Sequence, residues 1–153
     1  MITPYFRAGK GAPAPLRAEL SRQVRFEEVD PLGIVWHGRY ASYFEDARVA
    51  LGDKYGIGYM DFLGNGIAAP IRTLHVDYFL PLRFREVFTI EGVLHWTEAT
   101  RLNIEFILRN EARVVTTTGY SVQLMLDADR NVLLVHPPFY REFIDRWRGG
   151  AFA

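Results

Sequence analysis

The period of apolar positions changes once, near residue 38, and changes back near residue 67. Between Arg101 and Arg109, Leu102, Ile104, Phe106 and Leu108 alternate with Arg101, Asn103, Glu105 and Arg109, the two-residue period of a strand with one buried face. Val87 to Trp96 sets Phe88, Ile90, Leu94 and Trp96 on one side, and Val114 to Leu126 alternates Val114, Tyr120, Val122, Leu124 and Leu126 with smaller or polar residues. The short gaps at Thr97–Thr100 and around Asn110-Glu111 suit hairpins, so these strands are expected to pair antiparallel. Upstream, Leu20 to Glu27 alternates loosely and predicts a first strand closed by the turn Asp30-Pro31-Leu32-Gly33. Tyr40, Phe44, Ala47 and Leu51 then form a single apolar stripe with Asp46, Arg48 and Asp53 off it, which predicts a helix from about Gly38 to Lys54. Gly52, Gly56 and Gly58 end it, Tyr59 to Leu63 suits a short helical turn, and Pro81 marks a bend or an edge between Leu74 and Phe88. In the tail, Asn131 to Val135 is expected as a short strand, and Pro138 opens a helix carrying Phe139, Phe143, Ile144 and Trp147. The sum is α+β: one long helix after the first strand, then a meander whose apolar face needs that helix as its cover.

Composition narrows the function classes. With 153 residues and 49% hydrophobic content the chain can bury one core, and no linker or repeat divides it. We expect a loose arm over residues 1–18, one domain over 19–148 and a short tail over 149–153. Formal net charge is zero and the arginines are scattered, which leaves no electrostatic footprint for nucleic acid or an anionic membrane. Cysteine is absent, and with it disulfides, thiolate metal sites and cysteine nucleophiles. Charged residues interrupt every apolar run before the roughly 18 residues of a membrane span, and the N-terminal residues lack the apolar core of a secretory signal, so a cytoplasmic protein is expected.

The stretch from Phe26 to Glu45 concentrates what chemistry the sequence offers. Asp30 stands at a Pro-Gly turn, and His37 and Gly38 stand where a helix begins. Asp before Pro is ordinary turn chemistry, Asp also caps helices, and a lone His is often structural. Together, however, they supply the parts for acyl transfer. A carboxylate can attack or activate water, and the amides near His37 and Gly38, lacking partners in a helical first turn, can hold an oxyanion. Tyr40 lies on the apolar stripe as core or pocket wall, and Trp36, Tyr43 and Phe62 are further candidates for a wall. Glu45 lies beside the stripe, as a solvated charge or a second carboxylate. Glu28, two residues before Asp30, adds a negative charge that could raise the Asp30 pKa or simply face water. The histidines, at 37, 75, 95 and 136, form no i, i+3 or i, i+4 pair, so no metal site is expected. No Gly-x-Ser-x-Gly elbow is present, and Gly64-Asn65-Gly66 reads as a turn and not a phosphate loop.

Asp30-Pro-Leu-Gly33-Ile-Val-Trp-His37, Tyr40, Phe44-Glu45 and the later run Leu74-His-Val-Asp77-Tyr78-Phe-Leu-Pro81-Leu-Arg83-Phe-Arg85 resemble the 4-hydroxybenzoyl-CoA thioesterase-like branch of the hotdog-fold acyl-CoA thioesterases. The resemblance covers about Arg22 to Leu134. It implies a curved antiparallel sheet wrapped around one long helix, protomers paired edge to edge as a homodimer or homotetramer, and active sites at the subunit interface. It implies hydrolysis of an acyl-CoA without metal or organic cofactor. Carried over by position, Asp30 is the catalytic carboxylate, as nucleophile or as base for water. The backbone N–H of His37, at the helix start, is the oxyanion donor, and the His37 side chain orients substrate or assists the leaving thiol. Tyr40 borders the substrate, and Arg83 and Arg85, with Arg101 as a weaker third, face the CoA phosphates. Two other readings stand beside hydrolysis of CoA esters: a thioesterase acting on acyl-carrier protein, and a module that binds acyl-CoA or an apolar ligand without turnover.

Overall fold

A computed structural model describes residues 3–153. The strands are β1 (Leu16–Gln23), β2 (Ile71–Tyr78), β3 (Val87–His95), β4 (Arg101–Asn110) and β5 (Val115–Leu124); the helices are α1 (Tyr40–Tyr55), α2 (Tyr59–Gly64) and α3 (Pro138–Arg148). The strands form one five-stranded sheet in the order β1-β3-β4-β5-β2, every neighbouring pair antiparallel. The central meander follows from the alternation in the sequence: Ile104, Phe106 and Leu108 of β4 and Phe88 and Ile90 of β3 are buried on the face that receives α1. The predicted stripe Tyr40, Phe44, Ala47 and Leu51 is buried against that face, and Phe44 stacks on Phe106 with ring centroids 4.5 Å apart and planes within 7°.

Two glycines let the helix sit down on the sheet. A Cβ on Gly92 would fall 2.8 Å from Leu51 Cδ1, and one on Gly119 would fall 2.5 Å from Phe44 Cε2 and closer still to the His75 carbonyl oxygen. Gly56, at φ 72°, adopts the left-handed turn that stops α1, its amide donating to the Gly52 carbonyl. No helix among the described residues is long and apolar enough to cross a membrane.

Four expectations change. The first strand spans Leu16–Gln23, earlier than expected, because Leu16 and Ala18 continue the inward alternation along β3; Phe26–Glu28 is a single 3-10 turn whose amide at Arg25 donates to the Glu28 carboxylate. Asn131–Val135 is not a strand: only Val132 bridges Leu126, and Leu134 and Val135 stay exposed. Arg48, placed off the stripe by its charge, is 1% exposed. It donates from Nε to Gln123 Oε1 (2.7 Å) and from Nη2 to the Ile57 carbonyl (2.9 Å), with its guanidinium 4.7 Å over the Tyr59 ring. Two residues of the expected arm lie on the outer face of the sheet. Tyr5 hydrogen-bonds Asp77 and Thr118 and packs on His75 and Tyr120, and Phe6 packs on Tyr120 and on His95, which pairs with buried Glu105 at 2.9 Å.

Candidate active site

The loop between β1 and α1 is a small hairpin built by its turn residues. The Gly33 amide donates to the Asp30 carbonyl (2.9 Å), Gly33 is left-handed at φ 76°, and the Asp30 amide donates to the Ile34 carbonyl (2.8 Å). This is a tight turn followed by a left-handed glycine, the geometry that Pro at the second position and Gly at the fourth favour. Asp30 Oδ1 accepts the Leu32 amide at 2.8 Å, which fixes the carboxylate over the turn with Oδ2 left over. Val29 bridges Val35, and the Trp36 amide donates to the Glu28 carbonyl (2.9 Å). Glu28 Oε1 accepts the Arg25 amide, and the same carboxylate, after burial, helps to raise the Tyr43 hydroxyl.

The hairpin is stitched to the segment after Pro81. Ile34 bridges Arg83, and the Val35 amide donates to the Leu82 carbonyl at 2.8 Å. That pairing brings Arg83 beside the Asp30 turn. Arg85 lies two residues on, in the turn closed by the Glu86 amide on the Arg83 carbonyl (3.0 Å), at φ 70°, with its guanidinium 5.7 Å from the Phe84 ring. Both arginines are exposed, and neither side chain makes an ion pair among the described residues. Arg101 is not with them: it opens β4 beyond the β3–β4 hairpin, near His95, whereas Arg83 and Arg85 precede the opposite end of β3.

On the other side of the hairpin the chain enters a 3-10 turn, His37–Arg39, that runs directly into α1. Its first amides have no acceptor within the turn. The His37 side chain is exposed beside the Trp36 ring (5.1 Å), and no hydrogen bond joins it to Asp30. The indole folds back over Gly38, with Trp36 Cε3 at 2.7 Å from where a Cβ would stand, so a side chain there would displace the exposed indole. Tyr40 is 2% exposed, its ring edge-on to Tyr78 (5.0 Å) and Tyr43 (5.7 Å); burial pushes both Tyr40 and Tyr43 hydroxyls above the usual tyrosine range. Phe62 is not at this site, being buried against Phe139 and Tyr140.

Two features were not read from the sequence. The Tyr78 hydroxyl, at the end of β2, donates to the His37 carbonyl at 2.8 Å. A cavity of about 160 Å³ runs beside α1 from Ala41 and Ser42 to Glu45 and Arg48, closed by Leu74 and Ser121. Glu45 accepts the Tyr59 hydroxyl on both oxygens (2.8 and 3.1 Å); burial first, and then Glu45, pushes Tyr59 up to about 12. Elsewhere on the surface, Phe26, Leu32, Trp36, Phe79 and Phe84 are all exposed. No cluster of three or more metal-ligating side chains occurs among the described residues.

The profile of the thioesterase-like superfamily matches residues 24–146. The chain is 34% identical over 77 residues to YneP of Bacillus subtilis (strain 168), provisionally named an acyl-CoA thioesterase, a match over 50% of this chain and 53% of that protein. It therefore spans about half the length of that relative. It is 26% identical over 100 residues to the acyl-CoA thioester hydrolase YbgC of Escherichia coli O157:H7, covering 61% of this chain and 75% of that one. The solved structure of a DHNA-CoA thioesterase from Staphylococcus aureus superposes with a TM-score of 0.77 over 87% of this chain and 91% of that chain, at 24% identity. That likeness establishes the hotdog fold.

Proposed function

The chain belongs to the thioesterase-like superfamily, and on that footing we propose that it hydrolyses an acyl-CoA to the free acid and CoA. One observation carries the reading: the turn carboxylate of Asp30, the paired arginine turn at Arg83 and Arg85, and the free amides at His37 and Gly38 all belong to segments joined by one short set of backbone hydrogen bonds. The thioester carbonyl oxygen sits on the amides, which stabilise the charge that develops there. Asp30 acts on water as base, so that hydroxide adds to the carbonyl carbon, or attacks that carbon itself to give an acyl-aspartyl anhydride that water then hydrolyses; in either course the C–S bond breaks. The His37 imidazole, exposed at the same turn, delivers a proton to the departing thiolate. The acyl group enters the cavity beside α1, between Ala41 and Arg48, and Tyr40 forms the wall at its start. Arg83 and Arg85 bind the CoA phosphates, a task suited to guanidinium forks.

The site is completed by a second copy. β2 is an open edge whose Ile71, Leu74 and Tyr78 are exposed, and it leads into exposed Phe79 and Leu80. An unpaired, apolar edge of that kind supports strand-to-strand pairing of protomers into one continuous sheet. The test is a panel of aryl and straight-chain acyl-CoA and acyl-carrier-protein esters, with wild type beside Asp30→Asn. We expect wild-type turnover on CoA esters and at least about a 100-fold lower rate for Asp30→Asn at unchanged folding. Equal rates in the two proteins would remove Asp30 from the chemistry, and turnover of carrier-bound esters alone would replace the substrate class. No turnover of any ester would leave a binding module.

A further inference from the structure

The residues that precede β1 form a strap held at both ends. Phe6 packs on Tyr120 and His95, and at the other end Trp147 Nε1 donates to the Ala14 carbonyl at 3.0 Å. Between these anchors residues 7–13 pass over a cavity of about 740 Å³, whose floor includes Trp96, Trp147, Leu16 and Phe152. We propose that this cavity binds a nucleoside phosphate, with the base on the tryptophan floor and the phosphate under the strap. The cavity stands apart from the Asp30 turn. Leu16 pairs with Leu94 at this end of the sheet and Gln23 with Val87 at the other, so the eight residues of β1 set about 25 Å between the two places.

The walls select the ligand. Arg7 and Lys10 line the cavity from the strap, and neither side chain makes an ion pair or a hydrogen bond among the described residues. Glu98, the acidic side chain on the wall, is already matched by Arg148 at 3.1 Å and by the Trp96 Nε1 donor at 3.3 Å. Even with the carboxylate of Ala153 counted, the three cations Arg7, Lys10 and Arg148 face two acids there, in a chain whose formal net charge is zero. Of the strap amides from Arg7 to Ala12, that of Ala12 alone has an acceptor among the described residues, the Gly9 carbonyl at 3.1 Å, so N–H donors remain free on either side of Lys10. A guanidinium, an ammonium and amide donors left unpaired in one place suit a phosphate. The floor, in contrast, is aromatic. Trp147 is 4% exposed and edge-on to Trp96 at 4.9 Å, and the Arg148 guanidinium lies 5.3 Å over the Trp96 ring. Indole and guanidinium surfaces suit a flat base. Size decides the rest: the space holds a ligand of drug size, so an inorganic anion or a single-ring acid would leave most of it to water, whereas base, ribose and phosphate together fill it.

The proposal does not depend on thioester hydrolysis, and it is tested by binding without turnover. Trp36→Phe leaves Trp96 and Trp147 as the fluorophores, both on the cavity floor. Titration of that protein with ADP should change its emission saturably. Arg7→Ala/Lys10→Ala in the same background should weaken ADP at least about 10-fold at an unchanged circular-dichroism spectrum, since it removes two charged contacts and no contact within the fold. Inorganic phosphate, benzoate and decanoate are the comparison probes, each expected to bind at least about 10-fold more weakly than ADP. Arg83→Ala/Arg85→Ala, again with Trp36→Phe, should bind ADP as its parent does. Absence of a saturable change with ADP, an affinity untouched by Arg7→Ala/Lys10→Ala, or equal affinity for one of the comparison anions would overturn the proposal. Loss of the ADP signal in Arg83→Ala/Arg85→Ala would assign the ligand to the other end of the sheet and overturn it as well.

Discussion

Gly119 is the point at which a single methyl group should be felt most. An alanine Cβ there would lie 2.5 and 2.6 Å from Phe44 Cε2 and Cζ and closer still to the His75 carbonyl oxygen, short of ordinary contact by roughly 1 Å. Neither neighbour can yield alone. The Phe44 ring is stacked on Phe106, and the His75 carbonyl belongs to the backbone of β2, which pairs with β5 at this very position. Relief requires α1 or β2 to move. Overpacking of this kind costs about 1–3 kcal/mol, and the stiffer unfolded chain of the alanine variant returns about 0.5–1 kcal/mol. The net loss is therefore about 1–2 kcal/mol, a fall of roughly 2–8 °C in Tm for a domain of this size. Gly64→Ala is the matched comparison: it lies in α2, and its added Cβ meets nothing within 4 Å, so Tm should hold or rise slightly. Circular-dichroism melts at one fixed protein concentration make the comparison, since association would otherwise shift the midpoint. A Gly119→Ala protein melting at or above wild type would refute the claim that the missing side chain lets the helix reach the sheet.

Two other expectations concern the rim and the arm. Replacing both Arg83 and Arg85 by Ala should raise KM for CoA esters about 10-fold or more with a smaller change in kcat, measured by release of free thiol; an unchanged KM would detach them from the phosphates. Tyr5→Phe should speed tryptic cleavage after Arg7 at neutral pH, because the arm is held by the Tyr5 hydroxyl on Asp77 and Thr118. Burial first, and then Asp77, pushes Tyr5 up to about 12, and the Tyr5 hydroxyl, then His75, draws Asp77 below its usual carboxylate value. A raised folded pKa stabilises below the unfolded value near 10 and is lost toward 12; a lowered one stabilises above about 4 and is lost as pH falls through it. Wild-type protection of the arm from cleavage should therefore be level from about pH 5 to 9 once normalised to a free peptide of the same sequence, and should weaken at either extreme.

Most of the fold was legible because the two periods are clean. Leu102 to Leu108 can be nothing but a strand, and Tyr40 to Leu51 nothing but a helix with one buried stripe, although the alternation hid that Asn103, Glu105 and Ile107 on the strand's other face are buried too. The Asp30 turn was legible for a local reason too, since Pro31 and Gly33 dictate it. What escaped was non-local. The approach of Arg83 to the Asp30 turn rests on one isolated bridge to Ile34, a pairing with no periodic signal. Tyr78 reaches across 41 positions to the His37 carbonyl, and its place at a strand end reads as sheet packing. Arg48 was misjudged because charge normally argues for solvent. Its burial depends on Gln123 and the Ile57 carbonyl arriving from elsewhere. Tyr5 and Phe6 sit among Pro, Gly and Ala, and the face that receives them is assembled from β2, β3 and β5.

The strand order carries a consequence for biosynthesis. β1 and β2 are translated before the meander, yet they occupy its two outer edges, and β2 meets a partner only in β5. When Tyr78 has been added, the nascent chain holds two strands with nothing to pair with and an amphipathic helix with no sheet beneath it. The residues up to Leu124 take about 2–9 s more at ordinary elongation rates. Once they leave the ribosome, Tyr40, Phe44 and Leu51 are open to water and to any holdase at its exit until the sheet forms. A message that stalls before the β5 codons would therefore yield a chain fit for proteolysis and not a smaller working domain.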